Sequence, residues 1–139
     1  MLRRIAEVVR HHEVHRLPPS ATAFDAARLM KAKVCGAVMI TRRGRLEGIF
    51  TERDLVNRVV AVGLDPARTK LAKVMTHHPD TVRPDTYAAE ALRMMEDGHY
   101  RHLPVIISGR VIGMVSRRDF FGEEKAQLEH ERTLWEHVG

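Results

Sequence analysis

The chain has 139 residues, 44% of them hydrophobic and 29% charged, with a formal net charge of +5. This composition excludes a disordered chain and supports one compact domain or two small repeats sharing a core. No apolar run approaches the ~18 residues of a transmembrane helix, and the single cysteine, Cys35, excludes an internal disulfide or a cysteine-based zinc site.

The opening Met1-Leu2-Arg3-Arg4-Ile5-Ala6-Glu7 is basic but has no continuous apolar stretch of the secretory kind. With the lone cysteine, this points to the cytoplasm. Ile5–Val9 is a short apolar segment, and a strand is expected near Val14–Leu17. Ala23, Ala26, Ala27 and Met30 have the i, i+3, i+4, i+7 spacing of a helix face, capped by Thr22 or Ser20. Ala37–Ile40, the turn Arg42-Arg43-Gly44 and Leu46–Phe50 read as a hairpin. Thr51 then opens a helix whose apolar side is Leu55, Val56, Val59, Val60 and Val62. A linker from Gly63 carries a short helix over Lys70–Met75. The same order then returns: a strand near Thr81-Val82, a helix over Ala88–Met95, strands Leu103–Ile107 and Val111–Val115 around Ser108-Gly109, and a helix from Ser116. The tail from Glu123 to Val138, with Leu128, Leu134, Trp135 and Val138, predicts a further helix.

The second half repeats the first at an offset of 65 residues without gaps. Positions 17–56 and 82–121 share 10 identities in 40, against roughly 2 or 3 by chance, and a repeat of this kind fixes the architecture. The fold class is therefore α+β, with two βαββα units over residues 1–76 (including the N-terminal segment) and 77–139 (including the C-terminal helix). A unit under ~60 residues buries little alone, so the two are expected to pack face to face about a pseudo-twofold axis.

The chemistry-bearing feature occurs once in each repeat, as Thr51-Glu52-Arg53-Asp54 and Ser116-Arg117-Arg118-Asp119. Each follows an apolar strand and opens a helix. The hydroxyl is a natural N-cap and the aspartate lies at N3, so helix capping is one reading. The other uses the same atoms for a ligand. A helix start offers free backbone N–H groups to an anion, and a carboxylate can accept both hydrogen bonds of a ribose diol. Gly48 and Gly113, three residues earlier, admit a ligand or a neighbouring strand close to the backbone.

Gly48–Asp54, Gly113–Asp119, the Val74-Met75-Thr76…Pro79…Thr81-Val82 stretch and Arg101-His102-Leu103-Pro104-Val105 make the chain resemble a tandem pair of cystathionine-β-synthase (CBS) domains, a Bateman module. The resemblance covers about residues 5–125. It implies a regulatory module without chemistry of its own that binds an adenosine-containing ligand in the cleft between its repeats. AMP comes first, with ATP, NAD(H) and S-adenosylmethionine behind it, and no other cofactor is required. Asp54 and Asp119 would hold ribose, and Thr51 and Ser116 ribose or phosphate. Arg101 and His102 would hold phosphate, and main chain around His15-Arg16-Leu17 and Asp80-Thr81-Val82 would hold adenine. The first repeat has Gly36 and Ala37 in place of Arg101 and His102, so one stronger phosphate site is expected. The resemblance also favours a homodimer, for which the faces Leu55/Val59/Val62 and Phe120/Phe121/Leu128 offer apolar surface. A separate effector protein would read the ligand, and no membrane partner is expected.

The alternative is an arginine-rich accessory protein for nucleic acid, since 18 of the 23 basic residues are arginine. Aromatics at 5% leave little for a base-stacking platform, and Arg42-Arg43-Gly44-Arg45 reads first as a solvated turn. His11-His12 and His77-His78 are adjacent pairs in loops, which do not fix metal ligands on one face; no metal is expected. No nucleophile–base pair is visible, so no catalysis is expected.

Overall fold

The computed structural model describes residues 2–9 and 13–138. They divide into two compact units. One holds Glu13–Asp80 with Ser108–Val111, and the other holds the remaining described residues.

The first unit is built around a hairpin. Strands β2 (Ala37–Arg42) and β3 (Arg45–Thr51) pair antiparallel. Arg43 (φ +54°) and Gly44 (φ +80°) form the turn, the left-handed pair that a two-residue hairpin needs. The short β1 (Arg16–Leu17) runs parallel to β2, with Arg16 opposite Met39. Helix α2 (Ala23–Lys33) starts at Thr22, whose Oγ1 accepts the Asp25 amide at 3.1 Å while Asp25 Oδ2 accepts the Thr22 amide at 2.9 Å. Its buried face, Ala23, Ala26 and Met30, meets Val38, Ile40 and Phe50. Helix α4 (Leu71–Val74) supplies Leu71 and Val74 to the same core, and β4 (Thr76–His77) pairs with β3.

Gly48 is explained by that pairing. A Cβ there would lie 2.6 Å from Met75 Sδ and 2.8 Å from the Thr76 carbonyl. Of the two readings of this glycine, the close neighbour in the structure is a strand.

The helix opened by Thr51 starts as α3 (Glu52–Asp54) and widens into a π-helical stretch over Leu55–Val60. Ala61 donates to the Val56 carbonyl and Leu64 to that of Val59, both five residues back. In this wider turn only Val59 is fully buried, while Val56, Val60 and Val62 face outward. The expected five-residue apolar side is thus split between core and surface.

The second unit repeats the order with differences at both ends. Its first strand shrinks to one bridge, Val82 parallel to Val105. Helix α5 (Ala88–Gly98) buries Ala88, Ala91, Leu92 and Met95. Strands β5 (His102–Ile107) and β6 (Arg110–Ser116) follow. The helix expected from Ser116 is broken: one 3₁₀ turn, Arg117–Asp119, ends at an extended Phe120, and α6 (Gly122–Val138) begins afresh. Phe120 and Leu128 are buried in this unit's own core, so the face Phe120/Phe121/Leu128 is not a free apolar patch. Only Phe121 of the three is exposed. The side chains of Trp135 and Val138 lie outside the described residues.

Helix α1 (Ile5–Val9) belongs to the second unit, not to the first repeat with which the sequence groups it. Three backbone bonds fix it: Ile5 N–H to the Thr86 carbonyl (2.8 Å), Ala6 N–H to that of Pro84 (2.9 Å), and Ala88 N–H to that of Arg3 (2.8 Å). Ile5 and Val8 fill the core beside Leu92, Leu103 and Leu128. Val9 covers Gly113, 3.4 Å from where a Cβ would stand.

Candidate functional site

In the first unit, buried Ile49 and Phe50 hold β3 in place and bring Thr51 to its end. Thr51 is extended (φ −116°, ψ 168°), and its amide donates to Asp54 Oδ2 at 3.0 Å. The Asp54 amide returns the bond to Thr51 Oγ1 at 3.2 Å. Thr51 stands opposite Ala37, and the Glu52 amide donates to the Gly36 carbonyl at 3.1 Å. His15, whose carbonyl accepts the Met39 amide at 2.9 Å, immediately precedes the neighbouring strand β1. Parallel pairing of β1 with β2 therefore brings His15, Gly36-Ala37 and Thr51–Asp54 to one end of the strands. Arg16 points its guanidinium elsewhere, Nη2 donating to the Val111 carbonyl at 3.1 Å, and Leu17 is half-buried against the core.

The second unit builds the same loop. Ser116 is extended (φ −114°, ψ 159°) and forms a capping box with Asp119, its amide donating to Asp119 Oδ2 at 2.7 Å. The Arg117 amide donates to the Arg101 carbonyl at 2.9 Å, which seats exposed Arg101 and half-buried His102 beside Ser116. Val82 has both main-chain groups engaged, its amide on the Pro104 carbonyl (3.0 Å) and its carbonyl on the Ile106 amide (2.9 Å).

In each loop one carboxylate oxygen caps the turn, as the sequence allows, and the aspartate has a second oxygen. Asp54 Oδ1 lies 3.6 Å from Arg58 Nε, and Arg58 Nη1 donates onward to the carbonyls of Met75 (3.1 Å) and Val74 (3.4 Å). At Asp119 a different arginine arrives. Arg3 Nη2 reaches the Asp119 carbonyl at 3.3 Å, and its fork grips Glu124 through Nη2–Oε1 (2.8 Å) and Nε–Oε2 (3.0 Å). The Arg3 guanidinium also stacks 3.6 Å above the Phe121 ring. Burial alone would raise the Glu124 pKa, but the Arg3 hydrogen bond, the Phe121 amide and the Arg3 charge outweigh it and hold this carboxyl below its ordinary value. The Glu124 hydrogen bond likewise raises Arg3 against its desolvation. Sequence reading missed both arginines. The i, i+4 spacing of Asp54 and Arg58 is a usable signal, whereas Arg3 and Glu124 are 121 positions apart.

Cys35 is half-buried. His77 Nε2 lies 2.9 Å from the Ala72 carbonyl, and no group of three metal-ligating side chains occurs among the described residues. The pair His11-His12 lies outside them. No described helix is long and apolar enough to cross a membrane.

Compared with known proteins, the chain matches the CBS domain over residues 5–61 and again over 71–125. The CBS domain-containing protein CBSCBSPB3 of Arabidopsis thaliana is 40% identical over 113 residues, covering 81% of this chain and 20% of that protein. The chain thus spans about a fifth of the length of the first curated relatives it matches. Among solved structures, a CBS domain protein from Pyrobaculum aerophilum complexed with AMP has a TM-score of 0.82 at 26% identity, covering 91% of this chain and 98% of that one. A hexameric CBS-CP12 protein from bloom-forming cyanobacteria has a TM-score of 0.77 at 29% identity, covering 86% of this chain and 66% of that one.

Proposed function

Because the chain belongs to the CBS-domain family through both of its repeats, we propose that it acts as a regulatory module that binds an adenosine-containing ligand, AMP foremost, and catalyses nothing itself. ATP, NAD(H) and S-adenosylmethionine are the competing ligands. The observation that carries this reading is the doubled strand-end loop. Thr51/Asp54 and Ser116/Asp119 have matching backbone geometry, and in each the amide of the hydroxyl residue donates to the aspartate, in a chain whose likeness extends to an AMP-bound protein. A helix start with an aspartate beside it suits a ribose and the phosphate next to it.

In this reading Asp54 and Asp119 each accept ribose hydroxyls through the oxygen that does not cap, and Thr51 and Ser116 contact ribose or phosphate. Arg101 and His102 strengthen phosphate binding at the second loop, while Gly36 and Ala37 give the first no counterpart. Main chain around His15 and around Asp80-Thr81 receives adenine. The regulated effector is another protein or another part of a longer chain, and the module works in the cytoplasm as a homodimer or a higher oligomer.

Calorimetry with AMP, ATP, NAD and S-adenosylmethionine on wild type, Asp54→Asn, Asp119→Asn and the double variant tests the assignment. Asparagine keeps a capping oxygen and loses the second acceptor. A hydrogen bond to a charged group contributes about 1.5–3 kcal/mol, so each variant should bind roughly ten- to a hundredfold more weakly at its own loop, Asp119→Asn more severely. A double variant that binds AMP like wild type would overturn the ribose assignment and leave the aspartates as helix caps.

A further inference from the structure

We propose that Arg58 and Arg3 are positioning residues that wire the two aspartate loops to the segments lying against them, 71–77 and 2–9, and that they do so with opposite sign. This rests on the nucleotide reading of those loops.

The two segments occupy matching places. Residues 75–76 close over Gly48 in the strand leading to Thr51, and Val9 closes over Gly113 in the strand leading to Ser116. Each segment is joined to its loop by one guanidinium. Arg58 spans from Asp54 Oδ1 to the carbonyls of Val74 and Met75 at the end of α4, where helical carbonyls have no partner within the helix. Arg3 sits on the segment itself and reaches back to the Asp119 carbonyl and to Glu124, the residue that caps the start of α6 by accepting the Phe121 amide at 2.7 Å. The repeat does not account for this. The 65-residue offset places Glu123 at the position of Arg58 and Arg68 at that of Arg3, and Arg68 pairs with nearby Asp65, at 3.9 Å.

The sign follows from which oxygen each arginine holds. Arg58 holds a carboxylate oxygen that a ribose hydroxyl would claim. Occupancy of the first loop therefore competes with Arg58, leaves it anchored at one end, and loosens the end of α4. Arg3 donates its hydrogen bond to a backbone carbonyl that ribose leaves alone, and only its charge acts on the Asp119 carboxylate. Occupancy of the second loop orders that carbonyl and tightens Arg3, and with it residues 2–9. Such coupling is reciprocal, so freeing a segment changes affinity at its loop.

Hydrogen exchange on the full chain with and without saturating AMP tests this, with AMP binding followed in parallel by calorimetry. AMP is expected to speed amide exchange at least twofold in 71–77 and to slow it at least twofold in 2–9. Asp54→Asn should abolish only the first response and Asp119→Asn only the second. Arg58→Gln should abolish the first while AMP still binds within about threefold of wild type, and Arg3→Gln the second. Arg58→Lys and Arg3→Lys keep the charge and should fold, but a single ammonium cannot span both partners, so they should also lose the responses. A merely structural role would raise baseline exchange and leave the AMP-induced change intact. AMP binding with both segments unchanged, or changed equally in the arginine variants, overturns the coupling alone. Absence of AMP binding removes the nucleotide reading and the coupling with it.

Discussion

The two repeats share the backbone geometry of the strand-end loop and differ in much of what is attached to it. After Asp54 the chain continues directly into a π-helical turn, with Arg58 half-exposed. After Asp119 the chain breaks at Phe120, restarts as α6, and meets a buried ion pair between Arg3 and Glu124. Before the loop, Gly36-Ala37 in one repeat stand where Arg101-His102 stand in the other. A duplicated fold has thus kept one local geometry and varied its surroundings.

The largest difference should appear in stability. The Arg3 and Glu124 side chains are 16% and 9% exposed, and removing one partner of a buried pair costs about 3–5 kcal/mol. Glu124→Ala should therefore lower the urea midpoint sharply, whereas Arg58→Gln, acting on a pair with one side chain 49% exposed, should cost under about 1 kcal/mol. Equal losses would erase the distinction between buried and surface wiring.

The glycines come next. A Cβ at Gly48 would press on the Thr76 carbonyl, a backbone atom, at 2.8 Å, while at Gly113 it would meet only the Val9 side chain at 3.4 Å. Gly48→Ala should cost about 1–3 kcal/mol by overpacking, and Gly113→Ala should cost clearly less in the same denaturation assay. Similar costs would mean that α1 is held as rigidly as β4.

The smallest effect should be a response to acid confined to one repeat. The Glu124 carboxyl titrates below its ordinary value in the folded chain. A depressed folded pKa contributes stability that is fully present above the unfolded value and is lost as pH falls through the folded one. Docking of residues 2–9 should weaken below about pH 4.5, the ordinary value for this group. Exchange of 2–9 measured from pH 6 to pH 3 should show it, and Glu124→Gln should remove that pH dependence. Wild type and Glu124→Gln loosening in parallel would locate the acid response elsewhere.

Much of this was legible in the sequence because it is local. The 65-residue offset exposed the repeat, and short apolar runs on either side of a glycine turn exposed both hairpins. Thr51 and Ser116 marked helix starts through their spacing to an aspartate, and Thr22 or Ser20 through their place ahead of an apolar helix face. The failures have nonlocal causes. Val56 and Val60 look like core in an α-helical frame, and a π-helical turn faces them outward. Phe120 looks like the next helical residue after Asp119, yet it is extended and buried in the second core. Nothing adjacent to Ile5 and Val8 says that they fill a core with Leu92, Leu103 and Leu128, because the partners stand some eighty to one hundred and twenty positions away. Of the candidate site, the aspartates and hydroxyls were visible, and the two arginines that contact their loops were identified only by the structure.

The docking of α1 on the second unit also sets an order of events during synthesis. Arg3 and Ile5 leave the ribosome before Thr86 and Glu124, which hold them. At roughly 5–20 residues per second the segment waits several seconds for its partners. Its apolar side chains stay uncovered meanwhile, and α1 can be seated only after the second hairpin and the start of α6 exist. This segment is therefore among the last to find its place, and the first unit, with α4 and β4 drawn from its own following linker, can close without it.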